Sequence, residues 1–503
     1  MTRERHGRKG HRTPPRPVDY VRLRHPFRPQ DLFSADEARG LHEAALEVLE
    51  RLGMRILHPE ARAILRGAGA LADDDSQMVR IGRDIVEGAL AAAPRRMRLR
   101  AANPARERDY AEGELLFAAA GGCPNASDAG RGRRPGSLGD YEEALILQQS
   151  FDAIHKHGPS VEPQDVPAPL RHYAMMKGQM TLGDKPMFVY ARGRAQVAEC
   201  FEMIRLGLDL SEADWARGVW ATTVINTNSP RQLDAPMAEG IIDFARAGQM
   251  PIITPFCLMG AMAPLSVAGA LVLQHAEALA CIALAQATRP GAPVSYGGFG
   301  SNVDMKSGAP AFGTAEHVRM QLGTGQLARL IGLPFRSAAG SAGNAADSQG
   351  ATENLMGLWG ALVSGATLCV HAAGWLEGGL SFGYEKLVTD MEAVEVLAEL
   401  CQPLVPDRAM EALAEVPPGG HFFAATHTMA RYATAFRPPL VADLANFGTW
   451  SEGGARTAAD RATAEWRRRL AETPRPAQSG AAADRLAPFI EARTKAGGAP
   501  PVA

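Results

Sequence analysis

One pattern recurs along most of this chain and constrains its fold more than any other feature. A short apolar or β-branched run is followed by a loop rich in Gly, Pro or Asn and then by an Ala-rich helical stretch, eight times over about 270 residues. Strands that alternate with helices at this spacing predict a parallel sheet with helical crossovers. The predicted strands are Leu116–Ala120, Ser160–Pro163, Met187–Tyr190, Trp220–Ile225, Pro251–Pro255, Pro293–Gly298, Pro334–Ala338 and Thr367–His371.

Eight strand–helix units match a closed (β/α)8 barrel, the TIM barrel, in number and length. The alternative is a doubly wound open sheet, which a Gly-rich phosphate-binding turn after the first strand would favour, and no such turn is present. We therefore predict an α/β chain in four parts. These are a disordered basic tail (1–30), a helical N-terminal extension (31–113), the barrel (114–400) and a C-terminal helical segment and tail (401–503).

Composition removes several classes of function. The chain is 46% hydrophobic with a formal net charge of -2, which gives no concentrated basic surface for nucleic acid. The apolar stretch Leu265–Ala287 contains Gln274, His275 and Glu277, which favours a buried helix over a membrane span. Six scattered cysteines predict reduced thiols in a cytoplasmic protein. Without a P-loop, a dinucleotide fingerprint or metal-ligand spacing, we expect the chain itself to hold no nucleotide and no metal.

Aromatic residues collect where the functional side chains of a barrel lie, after the carboxyl ends of the strands. They make up only 6% of the chain, yet eight of them fall at or near those ends. Ring faces hold quaternary ammonium groups, so this pattern indicates a cation-binding mouth, although rings at these positions also serve simply to close a barrel. The eight are Tyr190, Phe256, Tyr296, Phe299, Phe312, Trp375, Phe382 and Tyr384.

Several longer segments around the same positions carry a family resemblance. They are Arg133–Ser137 with Asp140 and Tyr141, Val161–Pro167, Tyr296–Gly313, His371–Gly379 with Tyr384–Lys386, Gly419–His421, and His427 with Thr428. Through them the chain resembles the trimethylamine methyltransferase (MttB) superfamily over nearly its whole length. The resemblance implies a (β/α)8 barrel that passes a methyl group from a methylated amine to a corrinoid, which is a cobalamin-type cofactor carried by a separate corrinoid protein.

The loop after predicted strand seven, Ala339–Asp347, distinguishes two branches of that family. Trimethylamine enzymes carry pyrrolysine there, whereas this loop holds ordinary residues only. The chain is therefore similar to the non-pyrrolysine branch, which includes glycine betaine methyltransferase. A quaternary nitrogen departs as a neutral amine, whereas a tertiary amine needs covalent activation first. The implied reaction is an in-line displacement, for which the barrel aligns the methyl group and excludes water.

The resemblance implies roles for individual side chains. The catalytic candidates are His371, Asp304 and Glu377, the first facing the corrinoid or a substrate carboxylate and the two acids complementing the substrate cation. The substrate-binding candidates are Phe256, Tyr296, Phe299 and Trp375 as a cage for the cation, Glu162 as a further complementary acid, Arg336 (or Lys306) for a carboxylate, and Asn344 in the strand-seven loop. For His371 and each of the three acids, a purely structural role is the alternative.

The segment Asp152–Gly158 faintly resembles the DxHxxG motif that binds corrinoids. Its Asp is one residue too far from the His, and the segment lies inside the predicted barrel, so we interpret the likeness as coincidence. Three alternatives stay open: an aldolase or lyase on the same fold, a non-catalytic quaternary-ammonium-binding protein, and a demethylase of a tertiary methylamine. The first predicts a Lys at a strand end or a phosphate-binding loop after strands seven and eight, and neither is evident. The oligomeric state, a homo-oligomer included, is open.

Overall fold

The structure, a computed structural model, describes residues 18–404 and 406–502. The strands of these ranges are β1 (Leu23–Arg24), β2 (Met54–Ile56), β3 (Leu71–Ala72), β4 (Met78–Arg80), β5 (Arg96–Leu99), β6 (Arg108–Ala111), β7 (Glu114–Phe117), β8 (Asn125–Asp128), β9 (Gly132–Pro135), β10 (Met187–Phe188), β11 (Ala221–Ile225), β12 (Gln232–Leu233), β13 (Met250–Ile253), β14 (Phe256–Met259), β15 (Tyr296–Gly297), β16 (Phe299–Val303), β17 (Pro310–Ala311), β18 (Phe335–Ala338), β19 (Leu368–Val370), β20 (Trp375–Leu376) and β21 (Ser381–Gly383).

The α-helices of the same ranges are α1 (Ala35–Glu47), α2 (Pro59–Gly67), α3 (Arg83–Ala92), α4 (Leu138–Gln149), α5 (Arg171–Thr181), α6 (Arg194–Gly207), α7 (Glu212–Ala216), α8 (Ala235–Ala247), α9 (Val267–Thr288), α10 (Ala315–Ile331), α11 (Ser348–Ser364), α12 (Tyr384–Leu400), α13 (Met410–Glu415), α14 (Thr426–Arg431), α15 (Phe447–Glu452), α16 (Ala458–Glu472) and α17 (Ser479–Lys495). The chain is thus a mixed α/β protein.

Seven strands and one short extended segment pair in parallel around the middle of the protein. β7 pairs with β19, β19 with β18, and β18 with β15. A parallel bridge between Ile252 and Ser295 joins β15 to β13, which pairs with β11, which pairs with β10. The segment 155–157 completes the series, since His157 N donates to Pro186 O at 3.0 Å and Lys156 bridges in parallel to Ala118, next to β7. We call these eight pieces the ring.

Seven of the eight predicted strands overlap a ring strand, and the second prediction, Ser160–Pro163, is wrong. The ring member lies five residues earlier, at His155–His157, where the side chains are polar and therefore do not read as a strand. Two of them have local partners: the Phe117 amide donates to Nδ1 of His155 at 2.9 Å, and the Lys156 ammonium donates to His157 O at 3.0 Å. Both ring nitrogens of His157 are buried without a hydrogen-bond partner among the described residues. Ser160 itself has a φ of 49°, which interrupts extended backbone.

Helices separate consecutive ring members and cover the outside of the ring. The helix α9 carries the most apolar sequence, and it is the one helix of the described ranges that is long and apolar enough to cross a membrane. Sixteen of its residues are buried, including Gln274, His275 and Glu277. It is therefore a core helix, as these three polar residues in its sequence predicted. α16 packs on α12, where Thr463 and Trp466 both donate to the Glu385 carboxylate at 2.8 and 3.0 Å.

Two small sheets extend the chain beyond the carboxyl ends of ring strands. β14 follows β13 and pairs in parallel with β16, which follows β15. β8 follows β7 and pairs in parallel with β21, and β20 and β9 flank that pair. The strands of these two sheets carry the chain away from the ring before the next helix begins. Their course determines which residues after the ring strands lie near the axis of the ring.

The N-terminal region differs from its prediction in two ways. The segment 31–113 contains α1, α2 and α3 but also strands β2 to β6, so it is mixed and not purely helical. Ser34 is the N-cap of α1 and forms a capping box with Glu37. Within the predicted disordered tail, the described residues 18–30 include a short strand: β1 pairs with β7, and its apolar residue Leu23 is fully buried. The tail at 1–17 lies outside the described residues.

Candidate functional site

A cavity of about 580 Å³ lies at the carboxyl ends of the ring strands. Each of the eight ring members, or the loop directly after it, contributes to its wall, which places the cavity on the axis of the ring. Contributors in chain order are Ala118, Lys156, Tyr190, Asn226, Phe256, Phe299, Arg336 and His371. Because a parallel ring brings all its carboxyl ends to one side, side chains distant in sequence meet here.

One wall of the cavity is a cluster of rings centred on Phe299. Its ring centroid lies 5.2 Å from that of Phe256, 5.3 Å from Trp375 and 5.7 Å from His371. Phe312 stacks behind it at 5.0 Å with an interplanar angle of 22°. Phe256, Phe299, Trp375 and His371 all line the cavity, so the wall presents several ring faces to whatever enters. Such a wall attracts a diffuse positive charge without requiring hydrogen bonds.

Glycines on both sides make room for the Trp375 indole. A Cβ atom on Gly340 would overlap Cε3 of the indole, and one on Gly379 would lie 2.5 Å from Cζ2. Both glycines have positive φ angles, 108° and 107°, which L side chains rarely adopt. The strand-seven loop therefore shapes the site chiefly because Gly340 has no side chain and leaves room for the Trp375 indole.

Hydrogen bonds fix the two loops that carry the ring wall. The Gly340 amide donates to Oδ1 of Asn354 at 2.9 Å, and Nδ2 of the same Asn354 donates to Ala372 O at 2.9 Å. One buried amide side chain thus joins the strand-seven loop to the strand-eight loop. The Gly374 amide donates to the buried Asp390 carboxylate at 2.9 Å, and Asp390 is also paired with Lys386. The indole is held on a wall tied at several points.

The charged side chains of the remaining wall are all cationic. Lys156, Arg192 and Arg336 line the cavity, and among the described residues no Asp or Glu does. Arg192 has an acid next to it, since its Nη1 and Nη2 donate to the two Glu162 oxygens at 2.6 and 3.1 Å. Glu162 also accepts from Arg171 at 2.6 Å. Burial raises the pKa of the Glu162 carboxyl, and the two arginines outweigh it, so the pKa lies below its usual value.

Lys156 and Arg336 are more deeply buried, at 2% exposure each. The Lys156 ammonium donates to His157 O at 3.0 Å, and Arg336 Nη1 donates weakly to Gly298 O at 3.4 Å. Burial, reinforced by the charge of Arg336, lowers the pKa of Lys156 to about 7. Burial also lowers the pKa of Arg336, to about 10. Within 18–404 and 406–502 neither side chain forms a salt bridge with an acid.

Four cavity-lining side chains have a buried polar atom with no hydrogen-bond partner among the described residues. The atoms are Tyr190 Oη, Arg336 Nε, His371 Nδ1 and Trp375 Nε1. A buried polar group without a partner costs about 1–3 kcal/mol, and such groups concentrate where a ligand supplies the partner. Burial, followed by the charge of Arg336, lowers the pKa of His371 well below its usual value. The site is thus arranged to receive a polar ligand.

Five of the predicted site residues lie in this cavity: Phe256, Phe299, Trp375, His371 and Arg336. Tyr296 does not. Because side chains alternate along a strand, its ring faces α9, where its hydroxyl lies 2.8 Å from Nδ1 of His275. The prediction that Tyr296 forms part of the cage is therefore corrected.

The predicted acids also lie elsewhere. Asp304 is exposed in the turn between β16 and β17, where its carboxylate accepts from Ser307 N and Oγ at 3.0 and 2.6 Å, because β16 carries the chain outward. Glu377 pairs with Arg133 at 2.9 Å and accepts from Ser381 at 2.7 Å. Glu162 faces arginines, as described above. In each case the carboxylate already has donors, so the predicted role beside the substrate cation is not what the structure shows.

Asn344 and Lys306 are exposed and do not line the cavity. The residues missed were Lys156 and Arg192, together with Tyr190, which was noted only as one of the rim aromatics. Lys156 was missed because its strand was misplaced, and the statement that no lysine lies at a strand end is wrong. Arg192 directly follows a predicted strand end, which was a usable signal.

A ring of parallel strands with such a cavity at their carboxyl ends is the architecture of an enzyme that acts on small molecules. The family model for trimethylamine methyltransferase (MTTB) matches residues 1–498. The chain belongs to this family of methylamine and betaine methyltransferases.

The chain is similar in sequence to two curated relatives and in structure to one solved protein. A glycine betaine methyltransferase of Desulfitobacterium hafniense (strain Y51) is 30% identical over 470 residues, covering 92% of this chain and 97% of that protein. The trimethylamine methyltransferase MttB2 of Methanosarcina mazei is 27% identical over 446 residues, covering 84% and 87%. The crystal structure of the Methanosarcina barkeri monomethylamine methyltransferase aligns with a TM-score of 0.44 and 8% identity, covering 91% and 92%.

Proposed function

We propose that this protein moves a methyl group from a quaternary amine, glycine betaine or a close analogue, to the cobalt(I) of a separate corrinoid protein. The observation that carries this proposal is the cavity itself, which combines a wall of ring faces with buried cations and has no carboxylate among its described lining residues. Rings suit a trimethylammonium head, and the cations suit an anionic tail. A donor with both groups matches the whole cavity.

The fold that we propose for this reaction is a closed (β/α)8 barrel. The parallel pairings support it, because they pass from β7 through β19, β18, β15, β13, β11 and β10 to the segment 155–157 and back to β7. A helix follows each member before the next begins, as in that architecture.

The residues of this chain have three tasks in the proposed reaction. Phe256, Phe299 and Trp375 hold the cationic head and direct one methyl group toward the mouth. Arg336 holds the opposite, carboxylate end. The apolar walls exclude water, so the methyl carbon meets the nucleophile in line and no proton has to be moved by the protein. His371, a neutral imidazole stacked on Trp375, completes the wall and does not act as an acid.

A corrinoid bound by the partner supplies the nucleophilic metal that accepts the methyl group. The mouth of the cavity suits the approach of a broad, flat group, because four of its lining residues are Gly121, Gly122, Gly378 and Gly379, which carry no side chains. The partner protein has to dock over this mouth. The reaction requires neither nucleic acid nor a membrane, and we place the protein in the cytoplasm, which its six free cysteines support.

The test is methyl transfer to free cob(I)alamin. The purified protein is incubated with cob(I)alamin and, separately, with glycine betaine, other betaines, choline, tetramethylammonium and trimethylamine, and methylcobalamin is followed by absorbance. We expect product with at least one betaine. Product from trimethylamine alone would favour the tertiary-amine demethylase. Binding of betaines without any product, also when a cognate corrinoid protein is supplied, would favour the non-catalytic binding protein and overturn the proposal.

A further inference from the structure

The cavity has more positive charge than its own acids balance. Of its three cationic side chains, only Arg192 has a carboxylate partner in the described ranges, and that partner, Glu162, is shared with Arg171. Lys156 and Arg336 form no salt bridge with an acid in the same ranges. Unpaired buried cations are costly, so a site that keeps two of them is built to be completed by an anion from outside.

The two cations reach the cavity from different parts of the ring. Lys156 lies in the segment 155–157 and Arg336 in β18, with β7 and β19 between them in the pairing order. Both side chains nevertheless line the same space, and the charge of Arg336 acts on Lys156. A ligand carboxylate in this cavity therefore has both cations available to it.

Arg336 also lies next to the ring wall. Its guanidinium carbon is 5.5 Å from the centroid of Phe299, the ring at the centre of the aromatic cluster. A ligand whose carboxylate contacts Arg336 therefore begins its carbon chain beside Phe299. A short chain then suffices to bring a trimethylammonium head against the faces of Phe299 and Trp375.

We propose that Lys156 and Arg336 together clamp the substrate carboxylate, and that Lys156 thereby determines specificity for zwitterionic donors over cations without a carboxylate. This inference rests on the proposed function, because it concerns the substrate of the same site. The Lys156 ammonium supplies a second positive charge, in the same cavity, for a carboxylate bound at Arg336. For choline or tetramethylammonium the same ammonium is a like charge in a closed space, and it opposes their binding.

The titratable and charged groups that share the cavity with Lys156 come from three other ring positions. Arg336 comes from β18 and His371 from the end of β19, while Tyr190 and Arg192 follow β10. The Phe188 ring lies 5.3 Å from the ammonium. Burial lowers the pKa of His371 and raises that of Tyr190, so near neutral pH both are uncharged and Lys156 is the group whose charge changes.

The experiment is a calorimetric binding panel with ligands that share one cationic head: glycine betaine, choline and tetramethylammonium. The variants are Lys156→Met and Lys156→Arg. The matched control is Lys185→Met, which removes another deeply buried lysine whose ammonium donates to the Gln148 and Phe151 carbonyls and does not line the cavity. Thermal unfolding of each variant shows whether it is folded.

In the wild type we expect glycine betaine to bind at least about tenfold more tightly than choline or tetramethylammonium. Lys156→Met should lose at least about tenfold in betaine affinity while its affinity for tetramethylammonium is unchanged or higher, a divergence that a merely structural role would not produce. Lys156→Arg should retain most of the selectivity, and Lys185→Met all of it. Equal wild-type affinities for the three ligands, or unchanged betaine affinity in Lys156→Met, would overturn the clamp.

The wild-type comparison needs no variant, so a failure of Lys156→Met to fold does not decide the matter. The two proposals also fail separately. Selective betaine binding without methyl transfer would support the clamp and contradict the methyltransferase assignment. Methyl transfer from choline that is as efficient as from glycine betaine would support the methyltransferase assignment and contradict the clamp.

Discussion

The indole ring of Trp375 lies nearly flat against the imidazole ring of His371, with centroids 3.8 Å apart and planes 25° apart. Burial and the neighbouring Arg336 lower the pKa of His371 well below its usual value, so the imidazole is neutral near neutral pH. A charged imidazolium in this position would compete for the indole face. The neutral ring instead stacks on the indole without competing with a cationic ligand for the ring wall.

The first prediction concerns Trp375. Trp375→Leu should weaken the binding of tetramethylammonium roughly 2- to 30-fold, because a cation–ring contact is worth about 0.5–2 kcal/mol. Calorimetric titration of wild type and variant measures the difference. Trp359→Leu, at a half-exposed tryptophan on α11, is the control and should leave the affinity unchanged. Equal losses in both variants would remove the indole from the cage.

The second prediction concerns the space beside the indole. Gly340→Ala places a methyl group into Cε3 of Trp375 and should abolish most ligand affinity as well as lower the free energy of unfolding. Gly454→Ala is a matched control, because Gly454 has a similar φ of 95° and nothing within 4 Å of its Cβ position. Urea denaturation should show a backbone penalty in both variants, about 1 kcal/mol or more, and a larger one for Gly340→Ala. A control that loses as much affinity would contradict the steric explanation.

The third prediction is a pH dependence. The pKa of Lys156, lowered to about 7, means that its ammonium is charged below that pH and neutral above it. A bound carboxylate favours the charged form, so glycine betaine affinity should fall as pH rises through about 7, and binding above it should take up a proton. Titrations between about pH 6 and 9 in buffers of different ionisation enthalpy measure both effects. Tetramethylammonium should show no such fall, and a betaine profile that is flat over this range would contradict the prediction.

The fourth prediction concerns the acid that holds Arg192. Glu162 is 7% exposed and bonds to two arginines, so Glu162→Gln should lower the free energy of unfolding by about 3–5 kcal/mol. Asp152→Asn breaks a more exposed pair with Arg106 and should cost at most about 1 kcal/mol. Chemical denaturation of the two variants compares them. Similar small losses would show that the Glu162 cluster is not a stabilising one.

The fifth prediction follows from the placement of Asp304. Since its carboxylate closes an exposed turn with Ser307, Asp304→Ala should leave the methyl-transfer rate within about twofold of wild type, as expected of a surface change far from the reacting groups. The rate of methylcobalamin formation measures this. A large loss of rate at unchanged stability would restore Asp304 to the site.

The sequence predicted the ring strands where an apolar run is followed by a glycine or proline loop, as at Leu116, Ala221 and Leu368. It missed the segment 155–157, where His, Lys and His replace the apolar pattern. Local pattern failed there because Lys156, at the centre of the segment, serves the cavity, and functional residues break the local rules of a fold.

The same reasoning explains what was predicted of the site. Phe256 and Phe299 directly follow predicted strands and Trp375 lies four residues after one, so their positions could be read from the strand count. Tyr296 was misassigned because only the register of β15 decides which face it occupies. The Glu162–Arg192 pair depends on contacts between separate loops, which no spacing in one sequence reveals.

The lack of an acid in the cavity has a consequence for turnover. Once the methyl group has left, the amine is neutral, and none of the described lining residues is an Asp or Glu that can return a proton to it. Lys156 and Arg336 further oppose its protonation, so the ring wall loses the charge that it attracts at the moment the product forms. We expect the chemical step itself to weaken the contact between the amine and the ring wall and so to favour release of the product.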